Sequence, residues 1–220
     1  MRRLLRNNGL AISMFGAFLL FIVFMSVAGH RSHNADLRDH RRPPITYVGY
    51  LGSGAFVEGV FENWESEFLQ MGSYVLLTAW LFQRGSSESK PLHEQTPQDA
   101  DPRQARNPDR PWPVRRGGLV LKLYENSLAV GLFLLFFLSF GLHAIGGARA
   151  YNESQLEHGG ATVSTIGFLH TSAFWYQSLQ NWQSEFLSVG ALIVLSIYLR
   201  QRGSPESKPV AAPYRQSGDD

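Results

Sequence analysis

Apolar and polar positions are sharply segregated along this chain. Residues 9–29, "GLAISMFGAFLLFIVFMSVAG", hold no charge over 21 positions. Residues 128–147, "LAVGLFLLFFLSFGLHAIGG", form a second run that is polar only at Ser139 and His143. Either is long enough to cross a hydrocarbon layer of about 30 Å as a helix. Two weaker runs follow at 68–82 and 186–199. As helices these cover only about 21–22 Å, so something must lengthen them. Extension at the C-terminal end meets Gln83-Arg84-Gly85 and Arg200-Gln201-Arg202-Gly203 at once, where the glycine suits a helix C-cap. The pattern therefore predicts extension at the N-terminal end, with Ser53 and Thr171 as N-caps.

The pattern occurs twice because much of the sequence does. Sliding the chain by 118 positions lays residues 5–91 on 123–209 without a gap, with 32 identities among 87 pairs. "FENWESEFLQ" at 61–70 meets "LQNWQSEFLS" at 179–188, and "RGSSESKP" meets "RGSPESKP". Pairs such as Asn8/Asn126, Arg31/Arg149, Asn34/Asn152 and His40/His158 extend the match through the intervening loops. A repeat of this length reads as one structural unit per copy. The expected fold is all-α: a four-helix transmembrane protein built as a tandem repeat of two helical hairpins in parallel orientation. Its segments are a first hairpin at 1–91, a disordered linker at 92–117, a second hairpin at 118–209 and a flexible tail at 210–220.

Charge sets the orientation. Of 20 Lys and Arg, 3 precede the first run, 8 lie between the second and third, and 4 follow the last. The two remaining connectors hold 4 and 1, which predicts that both termini and the linker face the cytoplasm. Six of the eleven prolines fall in residues 85–117, hence the expectation of a linker without fixed structure. "MRRLLR" with an apolar stretch ending in Ser-Val-Ala also has the form of a secretory signal. The length of that stretch, and its equivalent in mid-chain, favour an uncleaved span instead. Cysteine is absent, which excludes disulfides and thiolate metal sites. A net charge of +2 gives no sign of nucleic acid as a partner.

Candidate chemistry concentrates in the repeated motifs. At 100° per residue Asn63, Ser66, Glu67 and Gln70 share one arc of a helix, as do Asn181, Ser184, Glu185 and Ser188 in the second copy. An acidic side chain in a span faces protein or water and marks a candidate site. The two polar faces could converge and oppose Glu67 to Glu185, an arrangement suited to proton or cation handling. The simpler reading puts the motif near the membrane interface, with Trp64 and Trp182 as aromatic anchors and Asn and Ser bonding between helices. On the cytoplasmic side, Arg84, Glu88 and Lys90 recur as Arg202, Glu206 and Lys208. These form a candidate contact turn, or else the trace of a duplication that has not drifted. His33, Asp36 and His40 have metal-like spacing, but the second copy offers Tyr151, Ser154 and His158, which favours a solvated loop. No metal, cofactor or nucleophilic triad is expected, and no enzyme.

The strings "ENWESEFLQ" and "QRGSSESK", with an Arg-x-x-Asn…His loop before them, resemble an uncharacterised family of small bacterial multi-pass membrane proteins, a domain of unknown function. The resemblance covers nearly all of the chain outside the linker. It implies a bacterial cytoplasmic membrane and brings no activity with it. The expected role is that of a structural or interaction protein of the envelope, with the bilayer and a second copy or another membrane protein as partners. The alternative is a small channel or transporter for cations, protons or a solute, using Glu67 and Glu185.

Overall fold

A computed structural model describes residues 2–218 except 93, 95 and 106, with side chains from residue 5 onward. The outermost residues of the first hairpin and of the tail, and Arg106 of the basic linker, lie outside the described residues. Every regular element among those described is helical. The helices are α1 (Arg2–Asp39), α2 (Tyr47–Leu51), α3 (Gly54–Trp80), α4 (Trp112–Arg116), α5 (Gly118–Glu125), α6 (Ser127–Glu157), α7 (Thr165–Leu169) and α8 (Ser172–Tyr198). Two 3₁₀ turns, Pro97–Asp99 and Pro102–Gln104, fall in the Pro-rich connector. Two helices are long and apolar enough to cross a membrane, at Leu5–Asp39 and Ser127–Glu157. In the most apolar stretch of the first, only 6% of residues are buried.

The weaker apolar runs are indeed carried by much longer helices. α3 and α8 each have 27 residues, or about 40 Å. Ser53 Oγ accepts from Phe56 N, and Thr171 Oγ from Phe174 N, each at 3.3 Å, so both hydroxyls cap the helices they precede. The other ends differ from expectation. α3 stops at Trp80 and α8 at Tyr198, so Gly85 and Gly203 are not helix C-caps. They occupy positive φ, +89° and +86°, inside separate turns closed by Ser86 N donating to Gln83 O and Ser204 N to Gln201 O. The serine hydroxyls three residues beyond take the backbone donors that helix would otherwise hold: Gln83 N donates to Ser89 Oγ and Gln201 N to Ser207 Oγ.

Local hydrogen bonds recur at the 118-residue spacing. Asn34 brackets Ile45 through both its backbone groups, as Asn152 brackets Val163. Thr46 caps α2 and Ser164 caps α7. Asn8 breaks the helical dihedrals within α1, and Asn126 does the same between α5 and α6.

The chain divides into two compact units. One joins Met1–Phe61 with Leu142–Phe174. Its core holds Tyr50, Phe168 and Phe174, the last stacked on the buried His143 at 4.8 Å. Glycines allow the close approaches here. A β-carbon on Gly54 would sit 2.5 Å from Ala150 N and 2.8 Å from Gly146 O, so α3 and α6 cross with backbones touching. Gly29 makes room for Tyr50 and Gly147 for Phe168, repeat partners in the same relation. The second unit joins Glu62–Gly141 with Trp175–Asp220. Its interior mixes Leu121, Ala129 and Phe136 with Glu65, Ser66, Gln70, Ser139 and Ser178.

Candidate functional site

The repeated Asn-Trp-x-Ser-Glu motif lies inside α3 and α8, in the second unit. Its serines turn back on their own helices: Ser66 Oγ donates to Asn63 O, Ser184 Oγ to Asn181 O, and Ser188 Oγ to Glu185 O, each at 2.8 Å. Such i−3 bonds satisfy a hydroxyl in apolar surroundings without a partner helix. In the first copy Ser66 and Gln70 are buried while Asn63 and Glu67 are exposed. In the second, Asn181 and Glu185 are half-buried and Ser184 and Ser188 exposed. Glu67 stands near enough to Glu185 for the two carboxylates to act on one another electrostatically.

Two other carboxylates make direct contacts between α3 and α8. Asn181 Nδ2 donates to Glu62 Oε1 at 2.6 Å, and Trp182 Nε1 to Glu65 Oε1 at 3.0 Å. Glu65 is fully buried. Trp182 is not a lone anchor: its ring also meets Phe136 at 6.3 Å and Trp175 at 6.2 Å, edge to face. Trp64 is half-buried. Glu62 and Glu65 were passed over in the sequence because they fall where the copies differ, against Gln180 and Gln183. The available signal was their i,i+3 spacing on a helix whose partner carries Asn and Trp.

At the far ends of these helices the two recurring turns dock on each other. Ser86 and Ser196 hydroxyls bond at 2.7 Å, and Ser87 Oγ donates to Glu206 O at 3.2 Å. Lys208, 1% exposed, donates from Nζ to Gly85 O, Tyr214 O and Gln216 O, with Pro213 O at 3.3 Å. Burial and the nearby Arg200 lower its pKa from the ordinary lysine value. Carbonyls only accept, so the bonds themselves favour the ammonium form.

The tail is held too, by Gly85 N donating to Ser217 Oγ and Gly218 N to Ser86 O. Arg200 covers the last carbonyls of α8 and lies over the Tyr214 ring at 5.6 Å. The first-copy equivalents do other work. Lys90 pairs with Asp99 at 2.6 Å, and this partner, with Thr96, pulls the Asp99 carboxyl down to about 2. Glu88 accepts from Tyr74 at 2.5 Å. Arg84, Arg202 and Glu206 are exposed. A groove of about 870 Å³ runs beside the turns, walled by Trp80, Glu88, Lys90, Asp99 and Glu206.

Among known proteins, no curated protein and no solved structure matches this chain. The family described as Domain of unknown function (DUF6766) matches residues 1–219. With nearly its whole length matched, the chain belongs to the DUF6766 family.

Proposed function

We propose that this chain is a structural or interaction protein of a bacterial cytoplasmic membrane. It has four spans, made of two parallel-oriented copies of one helical hairpin, and both ends are cytoplasmic. Its first partner is the bilayer, facing the exposed apolar side chains of α1 such as Leu10, Phe15 and Phe21. A second copy or another membrane protein is the further partner, and no catalytic step is assigned. One observation carries this reading: polar side chains on and beside the spans are engaged with neighbouring helices and turns. Glu65 holds Trp182, Glu62 holds Asn181, and Ser86 holds Ser196. Between membrane helices such bonds contribute about 0.6–2 kcal/mol each, which favours a fixed bundle.

A second reading is kept because Glu67 and Glu185 act on one another. It is a small cation, proton or solute channel or transporter with these carboxylates on its path. Proteoliposomes holding the full chain separate the two, with proton, Na⁺ and K⁺ flux measured for the parent and for E67Q/E185Q. The structural reading expects no flux above empty liposomes, and an unaltered native-gel mobility for the variant. Parent flux that the double variant abolishes would replace it with the channel.

A further inference from the structure

We propose that α4 and α5 form a docking surface for anionic phospholipid, lying on the bilayer where α6 enters it. The inference rests on the reading of this chain as a membrane protein and adds a lipid class to its first partner. Both helices belong to the unit formed by Glu62–Gly141 with Trp175–Asp220, and they pack on each other. α5 ends at Glu125, and α6, apolar and long enough to cross a membrane, begins at Ser127. Between them Asn126 leaves the helical dihedrals, at φ −113° and ψ 8°, so α5 is a separate element and not a longer span. Leu123 is therefore within about one helical turn of the point where the span begins.

α5 is apolar on two sides. Leu121, 2% exposed, faces the interior of the unit. At about 100° per residue, Leu119 and Leu123 lie on the opposite side with Lys122 beside them. Leu119 is 79% exposed, and Leu123 is exposed as well. From α4, the exposed Trp112 adds an aromatic ring, with the Arg116 guanidinium 5.8 Å from its centre. Trp112, Arg115, Arg116 and Leu119 wall one open hollow of about 640 Å³, so cations and apolar side chains share a concavity.

Charge selects the occupant. Residues 110–124 hold four Lys and Arg and no Asp or Glu. Arg115, Arg116 and Lys122 are exposed, and no ion pair among the described residues engages them. Leucine and tryptophan beside Lys and Arg is the composition of a helix that lies in the membrane interface. A bilayer supplies both complements at this depth, headgroup phosphates for the cations and acyl chains for the leucines. Each such cation favours an anionic over a neutral surface by about fivefold.

The test uses the full chain in liposomes, where the absence of cysteine lets one introduced thiol carry an NBD fluorophore. L119C reports on the docking face, L134C on the exposed apolar side of α6, and Q98C on the connector. Quenching by phosphatidylcholine spin-labelled on its acyl chain is measured with and without phosphatidylglycerol. L134C should be quenched equally in both, and Q98C in neither. L119C should be quenched with phosphatidylglycerol and lose at least about half of that quenching without it. R115Q/R116Q/K122Q in the L119C chain should remove the difference, with circular dichroism checking that the helices remain. High salt should weaken the L119C signal in the chain with its cations intact, a second measure that does not depend on the triple variant folding. L119C unquenched while L134C is quenched would overturn this inference alone, as would quenching indifferent to phosphatidylglycerol. Shielding of L119C from both the lipid label and aqueous iodide would put a protein on this face instead. Release of the probe into water by soluble glycerol phosphate would assign the cations to free phosphate, again against the proposal. L134C unquenched would overturn the membrane reading and this inference with it.

Discussion

An ammonium group has three protons to donate, and Lys208, from the second repeated turn, directs them at backbone carbonyls of the first turn and the tail. Its repeat partner Lys90 makes one partly exposed ion pair with Asp99 and lies 5.8 Å from the Phe82 ring. The same residue type at the same repeat position therefore has unequal worth. K208M strands several buried acceptors and should cost about 2 kcal/mol, in the range for bonds to a charged group. K90M removes an exposed pair and should cost less than about 1 kcal/mol. Unfolding of the full chain in detergent, followed by circular dichroism, measures both. Equal losses would mean that Lys208 does not staple the turns. The asymmetry is invisible in the sequence, where both positions read Glu-Ser-Lys-Pro. What separates them is chain context, since the segment after Lys208 folds back so that Pro213, Tyr214 and Gln216 present their carbonyls to it.

Between helices, the first unit holds a backbone-to-backbone crossing of α3 and α6. A methyl group at Gly54 meets Ala150 N at 2.5 Å, and one at Gly146 meets Glu58 N at 2.6 Å. Backbone atoms cannot rotate aside, so G54A and G146A must push the helices apart and should each cost about 1–3 kcal/mol. G131A and G141A, on the same helix α6 with nothing within 4 Å, should be neutral or gain up to about 1 kcal/mol of helix propensity. Thermal unfolding of the four variants in one detergent checks the contrast, and a loss at Gly131 equal to that at Gly54 would remove the crossing as its cause.

This element scale is also where the sequence was most legible. Hydropathy found both long apolar helices, and the shortness of the weaker runs implied helices reaching back to Ser53 and Thr171. The glycine crossing was missed because it depends on which faces meet, which hydropathy does not encode. Glu65 was missed for a related reason: it occupies the variable position of the motif, and only packing against Trp182 makes it a buried acceptor. Gly85 and Gly203 were read as helix caps because a positive-φ glycine after an apolar run fits one. The serines at 89 and 207 end the helices earlier by offering the backbone other partners.

At the scale of the whole molecule, the number of helices that cross decides which side the basic connector faces. α1 and α6 qualify on apolarity alone, while α3 and α8 have the length but carry Glu and Asn. A two-span chain places residues 40–126 outside, taking the eight Lys and Arg between residues 84 and 122 across the membrane, against the usual cytoplasmic bias of basic loops. A four-span chain keeps those eight inside with both ends. The absence of cysteine makes the distinction direct, because a single introduced thiol reports alone. Ala35 and Ala211 are exposed, and both topologies put the first outside and the second inside, so A35C and A211C calibrate the assay. Gln98 and Thr162, also exposed, exchange sides between the two. With an impermeant maleimide on intact cells, four spans expect T162C to label and Q98C to label only after permeabilisation. The reverse pattern would mean that α3 and α8 do not cross, and would remove both Glu67 and Glu185 from any path through the bilayer.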